Sequence, residues 1–401
     1  MRVSAADAES AEPAIASDAD GSLYVVYVEH TGGKGDVFLQ KYDSTLSPLG
    51  ERLRVNPTAG SATSWRGDPP TVAVGPAGKV YVGWTRKVET EKGKGNDLVL
   101  SASHDGAVSF AGPVKVNDDA KPASHGMHSL AVDQTGQVYV AWLDERNVKT
   151  DEHAENPGDT QFQSFGKPDF EVIKAHHDPK ATPPPQADSE EAEPNSEVFF
   201  AASNDGGKTF SPNKKIASDV CPCCKTSMLA AADGALYVSW RQVLPGDFRH
   251  IAVASTKDKG ATFSERTIVS DDQWRLYACP VSGSALADRG DGRLNVTWYT
   301  AGEAGQAGVY SAESSDSGKT FGPRRLLGFD AAAGTPVAPT NSQACMFVTS
   351  GNDLTVVGDR AGTIKNATLP AAATVRDKIV TAFVRPEGDK RSVWVTTVPL
   401  G

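Results

Sequence analysis

Nowhere in the 401 residues does an apolar run approach the roughly 18–20 residues that cross a bilayer, so no membrane span is expected. A lysine and arginine stripe is missing too. The chain carries 40 basic against 50 acidic side chains, a formal net charge of −10, which removes the electrostatic footprint of a nucleic-acid binder. Helix-favouring stretches are scarce. Cysteine is rare and odd in number: each of the five has a Pro, Cys or Met neighbour, a pattern that suits a site better than a disulfide framework spread through a fold. The first residues, Met1 to Pro13, contain no apolar stretch of the signal-peptide kind. The chain is therefore either cytoplasmic or lacks an export signal it once carried, and a periplasmic or secreted location is the expectation.

What is abundant points to strands and turns. Gly (38) and Pro (25) are plentiful, and short runs of Val, Ile, Tyr, Phe and Trp are bounded by Asp, Asn, Gly and Ser. The segments Leu23-Tyr-Val-Val-Tyr27, Val80-Tyr-Val-Gly-Trp84, Val138-Tyr-Val-Ala-Trp142, Leu236-Tyr-Val-Ser-Trp240 and Leu294-Asn-Val-Thr-Trp298 align without gaps. Their aromatic ends fall 57, 58, 98 and 58 residues apart, so the third interval holds about 40 extra residues. A sixth copy is due near position 356 and is met as Leu354-Thr-Val-Val-Gly358. Each copy follows a small apolar strand, such as Pro70 to Val74, and precedes another, such as Asp36 to Tyr42 or Glu197 to Ser203. With a weaker outer strand this makes four strands per unit. Such a unit cannot bury both faces alone, whereas six packed radially bury one another. The expected fold is all-β: one domain over residues 1–401, a six-bladed β-propeller with four-stranded antiparallel blades. Blade 6 would have to draw its remaining strands from Thr355 to Gly401, with Val380 to Val384 and Ser392 to Thr396 as a hairpin.

Several units close their third strand with one turn: Ser203-Asn-Asp205-Gly-Gly207-Lys-Thr209-Phe210, Thr256 to Phe263 and Ser314 to Phe321, with a worn copy at Ser103 to Phe110. These are Asp-box turns, S-x-D-x-G-x-T-[WF], and through them the chain resembles the sialidase-like, or BNR-repeat, propellers over nearly its whole length. The Asp bonds backbone N–H groups of its own turn, Gly supplies a positive φ and the aromatic plugs between sheets. The resemblance implies that the box lies on the face away from the active site, and that the loops leading into each innermost strand open together on the other face. It also implies a substrate-clamping arginine in the first blade of working sialidases; here the matching stretch, Ala11-Glu-Pro-Ala-Ile15, has none.

On that convergent face the repeat places, 14 to 19 residues before each strand-end Trp, Trp65 to Asp68, His125, Met127 and His128, then Cys221, Cys223 and Cys224, then Cys279; Cys345 and Met346 follow at a slightly shorter offset. Thiolate, thioether and imidazole donors gathered together select copper(I), with zinc as competitor. The expectation is a metal site ligated from His125, His128, Cys221, Cys223, Cys224, Cys279 and Cys345, with Met127 or Met346 as weaker donors, serving metal storage, delivery or metal-assisted chemistry. A metal-delivering or metal-receiving protein is the partner this implies.

Other readings stand beside it. Cys279 could bridge to the Cys221–Cys224 loop as a staple. The C-x-x-C spacing of Cys221 and Cys224 could serve redox chemistry, although no helix is expected to lower a thiol pKa there. Asp144, Glu145, Arg146, Arg241 and Tyr299, just beyond the strand-end Trp residues, could build a glycoside hydrolase or carbohydrate-binding face; taken singly, each is more simply a salt bridge or packing group at a loop start. The acidic, Pro-rich insertion at about 149–195 reads as a loosely ordered loop, and as a hypothesis a lid or docking segment.

Overall fold

The computed structural model describes residues 1–65, 67–148, 195–276, 281–329, 345–350, 352–358, 362–376 and 378–399. Nearly everything regular in it is strand, in consecutive antiparallel sheets. The first sheet holds β1 (Glu9–Ser17), β2 (Leu23–Thr31), β3 (Lys34–Tyr42) and β4 (Leu53–Arg54). The second holds β5 (Thr71–Val74), β6 (Val80–Thr90), β7 (Gly93–Ser103) and β8 (Val114–Lys115). The third holds β9 (His125–Val132), β10 (Val138–Asp144), β11 (Ser196–Ser203) and β12 (Lys214–Val220); the fourth holds β13 (Ser227–Ala230), β14 (Leu236–Leu244), β15 (Phe248–Thr256) and β16 (Thr267–Ile268). A single pair, Val220 with Gln242, joins these two into one continuous ladder. The fifth holds β17 (Ser284–Asp288), β18 (Leu294–Thr300), β19 (Gly308–Ser314) and β20 (Arg325–Phe329). Two three-stranded sheets follow, β21 (Cys345–Ser350), β22 (Asp353–Gly358) and β23 (Gly362–Ile364), then β24 (Thr368–Val375), β25 (Lys378–Glu387) and β26 (Lys390–Pro399). No helix among the described residues is long and apolar enough to cross a membrane.

The sequence repeat predicts six units, and the described strands fall into seven groups of three or four, the third and fourth of which are joined in one eight-stranded sheet. The difference arises after Leu354. The sixth copy of the repeat is β22, but the hairpin expected to complete that unit is β25 and β26 of a separate sheet. That last sheet lacks the Asp-box and takes its edge partner from the other end of the chain: Val3 N–H donates to the Val393 carbonyl and Val395 N–H to the Met1 carbonyl, 2.8 and 2.9 Å.

The repeat aromatics explain why the sheets stack. Trp84, Trp142, Trp240 and Trp298 are completely buried, and each indole N–H finds an acceptor: Ser101 Oγ, Asp144, Gln242 Oε1 and Asp272 respectively. The first strands of successive sheets lie against one another, β1 on β5, β5 on β9, β9 on β13 and β13 on β17, and β24 packs on β1. The Asp-box turns clamp neighbouring sheets from outside. Asp258 accepts the Thr262 N–H and hydroxyl and the Thr256 hydroxyl at 2.6–2.8 Å, and Gly260, at φ +87°, sits so close to Phe200 of the preceding sheet that a Cβ would lie 2.2 Å from the ring.

Candidate functional site

The loop from Cys221 to Thr226 carries β12 into β13, crossing from the outer edge of the third sheet to the inner edge of the fourth. Pro222 stiffens its start. Backbone bonds pin both ends: Cys221 N–H donates to the Arg241 carbonyl at 2.9 Å and Thr226 N–H to the Met127 carbonyl at 2.9 Å. The Thr226 hydroxyl also donates to Met127 and Ala141 carbonyls, and Gly283 approaches so closely that a Cβ there would meet the Lys225 carbonyl at 2.4 Å. The result is a rigid turn whose three sulfurs face inward.

Those sulfurs form a compact cluster. Cys221 Sγ lies 3.4 Å from Cys224 Sγ and 3.9 Å from Cys223 Sγ, and all three are within 4.8 Å of one another. Cys221 and Cys224 are free thiols with no exposed surface. Cys223 is in a disulfide whose partner lies outside the described side chains. Met127, Leu143, Val198 and Trp240 wall the cluster, with Trp65 and Val281 packed against it. The two free thiols are electrically unequal. Burial would raise Cys224, but the thiol hydrogen donated by Cys221, the Arg241 charge, the Ser282 backbone and a hydrogen bond from Arg241 outweigh it and bring it down to about 6. Cys221 is pushed well above its ordinary value by its hydrogen bond to Cys224 and by burial. The pair thus rests as one thiol donating to one thiolate.

Arg241 makes this possible. It is fully buried on β14, yet its guanidinium meets no carboxylate among its described hydrogen bonds: Nε donates to the Ser282 carbonyl (3.0 Å), Nη1 to Arg249 (3.3 Å) and Nη2 to Tyr299 (3.0 Å), while its plane lies 4.8 Å from the Trp274 ring centroid. Arg249, nearly buried, adds a second positive field on Cys221.

The histidines expected beside the cysteines are engaged elsewhere. His128 Nδ1 lies 3.1 Å from Asp68 Oδ1, in a fully buried pair between the second and third sheets. Lys225, half-buried, donates to the Pro69 carbonyl at 3.4 Å, and burial pushes its amine down to about 8 against the pull of Asp68. His125 Nδ1 donates to the Asn96 carbonyl at 2.6 Å, and Nε2 faces Asp119 (3.2 Å) and Asp144 (3.5 Å). Among the described residues the only grouping of three or more His, Cys, Asp or Glu side chains close enough to share an ion is Cys221, Cys223 and Cys224. The donors that the structure brings together are therefore those of one loop. Met127 stays in the apolar wall of the cluster; Cys279 lies outside the described residues, as do the side chains of Cys345 and Met346 and nearly all of the 149–195 insertion.

The carbohydrate-directed candidates split into two groups. Asp144 and Arg146 neutralise each other through three bonds of 2.8–3.0 Å, with Arg146 also reaching Asp118 and Asn213. Glu145 accepts from the Ser196 hydroxyl at 3.3 Å. Arg241 and Tyr299 belong to the buried fourth and fifth sheets, where Tyr299 stacks edge-on to Trp274. No described contact joins the two groups into one catalytic face. Sequence reasoning placed Arg241 among these residues and missed its part beside the sulfurs. The signal was present: Arg241 stands directly after the repeat Trp, where the other copies have Val28, Thr85, Leu143 and Tyr299.

No family model matches the chain, and no curated protein matches it. Solved structures share its fold at low identity. An ulvan lyase, described as a new family of polysaccharide lyase, is 11% identical over 100% of this chain and 96% of its own, with a TM-score of 0.58. A Hadza microbial sialidase is 12% identical over 98% of this chain and 66% of its own, TM-score 0.51. A protein of unknown function from Dyadobacter fermentans is 11% identical, covering 98% and 95%, TM-score 0.51. The chain has a sialidase-like all-β fold.

Proposed function

We propose that this sialidase-like chain is an exported, periplasmic or secreted β-propeller that handles a soft metal ion, copper(I) ahead of zinc, at the Cys221–Cys224 loop. Its sheets would close into a ring of seven through β24 on β1 and the N-terminal strand on β26. One observation carries the metal reading: three buried sulfurs within 4.8 Å of one another on a loop fixed from both ends. A metal–thiolate bond of about 2.3 Å spans sulfur separations up to about 4.6 Å, so Cys221 and Cys224 need open by little more than about 1 Å to hold an ion. With Cys223 in its disulfide they are the two thiolate ligands; reduction offers Cys223 as a third. Thiolates in an apolar wall with a thioether nearby suit copper(I). Storage, or transfer to a metal-carrying partner, is the role that a buried site fits best.

A carbohydrate reading draws support only from the shared fold, and fold alone does not carry activity. Its residues speak against it: Asp144 is consumed by Arg146, and Arg241 by three carbonyls. Titration with copper(I) against a competing chelator tests the proposal. One ion per chain should bind in the native protein, with loss of at least a hundredfold in affinity in Cys221→Ser/Cys224→Ser; retention of that affinity in the double variant would refute it.

A further inference from the structure

We infer that Arg241 sets the valence selectivity of the cysteine site, so that it takes a soft monovalent cation in preference to a soft divalent one. The inference rests on the metal reading above and concerns charge, not softness. Cys221 and Cys224 bind an ion as thiolates, contributing two negative charges. Arg241 contributes one fixed positive charge against Cys224, is fully buried, and besides its hydrogen bond to Cys224 donates to the neutral carbonyls of Ser282, Arg249 and Tyr299. The buried acidic groups Asp272 and Asp68 are engaged elsewhere, Asp272 with Arg324 and the Trp298 indole and Asp68 with His128 and Lys225. Two thiolates, one guanidinium and a monovalent ion sum to zero. With a divalent ion the same buried set carries a net positive charge, and the nearly buried Arg249 adds to the same sign. Uncompensated charge in an apolar interior is strongly disfavoured. One extra unit charge about 6 Å from a guanidinium, at an effective dielectric near 20, changes affinity on the order of a hundredfold.

A different arrangement would serve a divalent ion. Three thiolates with one guanidinium sum to −2, which a divalent ion neutralises. The Cys223 disulfide withholds that third thiolate. The oxidation state of Cys223 and the charge of Arg241 therefore act on selectivity in defined directions.

Silver(I) and cadmium(II) separate charge from softness, since both favour thiolates. The probe is the full chain with its disulfide intact, titrated with each ion separately and read by thiolate-to-metal absorption and by mass spectrometry. The native protein should prefer silver(I). Arg241→Gln should raise cadmium(II) affinity relative to silver(I) by ten- to a hundredfold, and Arg241→Lys, which keeps the charge, should restore the native ratio. Equal shifts for both ions in Arg241→Gln, or an unchanged ratio, would overturn the inference while leaving a metal site in place. Should the Gln variant fail to fold, native protein reduced and desalted decides: cadmium(II) must gain on silver(I), and a constant ratio overturns the claim. Binding of neither ion by the native protein would overturn the metal reading itself.

Discussion

Cys221 donates its thiol hydrogen to Cys224 across 3.4 Å, and the acceptor sulfur is the one that Arg241 holds charged. The two cysteines are thus unequal in what their loss exposes. Cys224→Ser removes the anion beside a buried guanidinium and should destabilise the chain by about 2–4 kcal/mol. Cys221→Ser keeps a hydroxyl donor to Cys224 and should cost about 1 kcal/mol or less. Urea denaturation of the metal-free variants measures the order; equal losses would mean that Arg241 does not depend on Cys224.

His125 ties the second and third sheets through Asn96, Asp119 and Asp144. Burial alone would lower its pKa, but the Asp119 carboxylate 3.2 Å from Nε2 and the Asp144 charge raise it above the ordinary value of 6.5. Since the folded ring holds its proton more tightly than the unfolded one, its stabilisation is full below pH 6.5 and is lost as pH rises through the higher folded value. His125→Gln should therefore lose about 1–3 kcal/mol at pH 5.5 and clearly less at pH 9. Stability curves of both proteins at the two pH values test this.

The Asp-box carboxylates respond at the opposite end of the scale. Hydrogen bonds from the Thr262 side chain and backbone and from Thr256 hold Asp258 down to about 2, and Thr320 and Ser314 do the same for Asp316. Their contribution is present above the ordinary carboxyl value of 3.8 and disappears as pH falls through about 2. Asp258→Asn/Asp316→Asn should show a lower urea midpoint at pH 5 and a flatter decline between pH 4 and pH 2 than the native chain.

Gly83 occupies the position that Val, Ala, Ser and Thr take in other copies of the repeat. A Cβ there would lie 2.7 Å from Thr71 Oγ1 and 2.9 Å from His128 Nε2, and Asp68 holds that imidazole in place. Gly83→Ala should cost about 1–3 kcal/mol through overpacking. Adding His128→Ala should return part of that loss, a non-additivity that thermal unfolding of the three variants reads directly.

Much of this was legible in the sequence, and the boundary has physical reasons. The Tyr-Val-x-Trp strands and the Asp-box turns are local patterns, so five sheets and the position of Cys221 to Cys224 on a loop into β13 followed from spacing. The separation of the C-terminal strands into two sheets did not: β22 was legible as the sixth copy and β25 with β26 as a hairpin, but the hairpin belongs to a sheet of its own, which carries no Asp-box and draws Met1 to Val3 from the far end of the chain. The spacing predicts His125 and His128 in a loop equivalent to the cysteine loop, but they stand on β9, and each turns sideways to a carboxylate: Asp68 stands 60 residues before His128, and that pairing depends on how neighbouring sheets stack. Arg241 was visible as a charge at a core position. Its role beside Cys224 depended on Ser282 and Tyr299, supplied by another sheet.

X-ray absorption at the copper edge, on protein loaded with one equivalent of copper(I) and its disulfide intact, tests the central claim most directly. The account predicts two sulfur scatterers near about 2.3 Å, no imidazole scattering, and loss of the signal in Cys221→Ser/Cys224→Ser. Imidazole scattering, or a copper environment unchanged in the double variant, would contradict it.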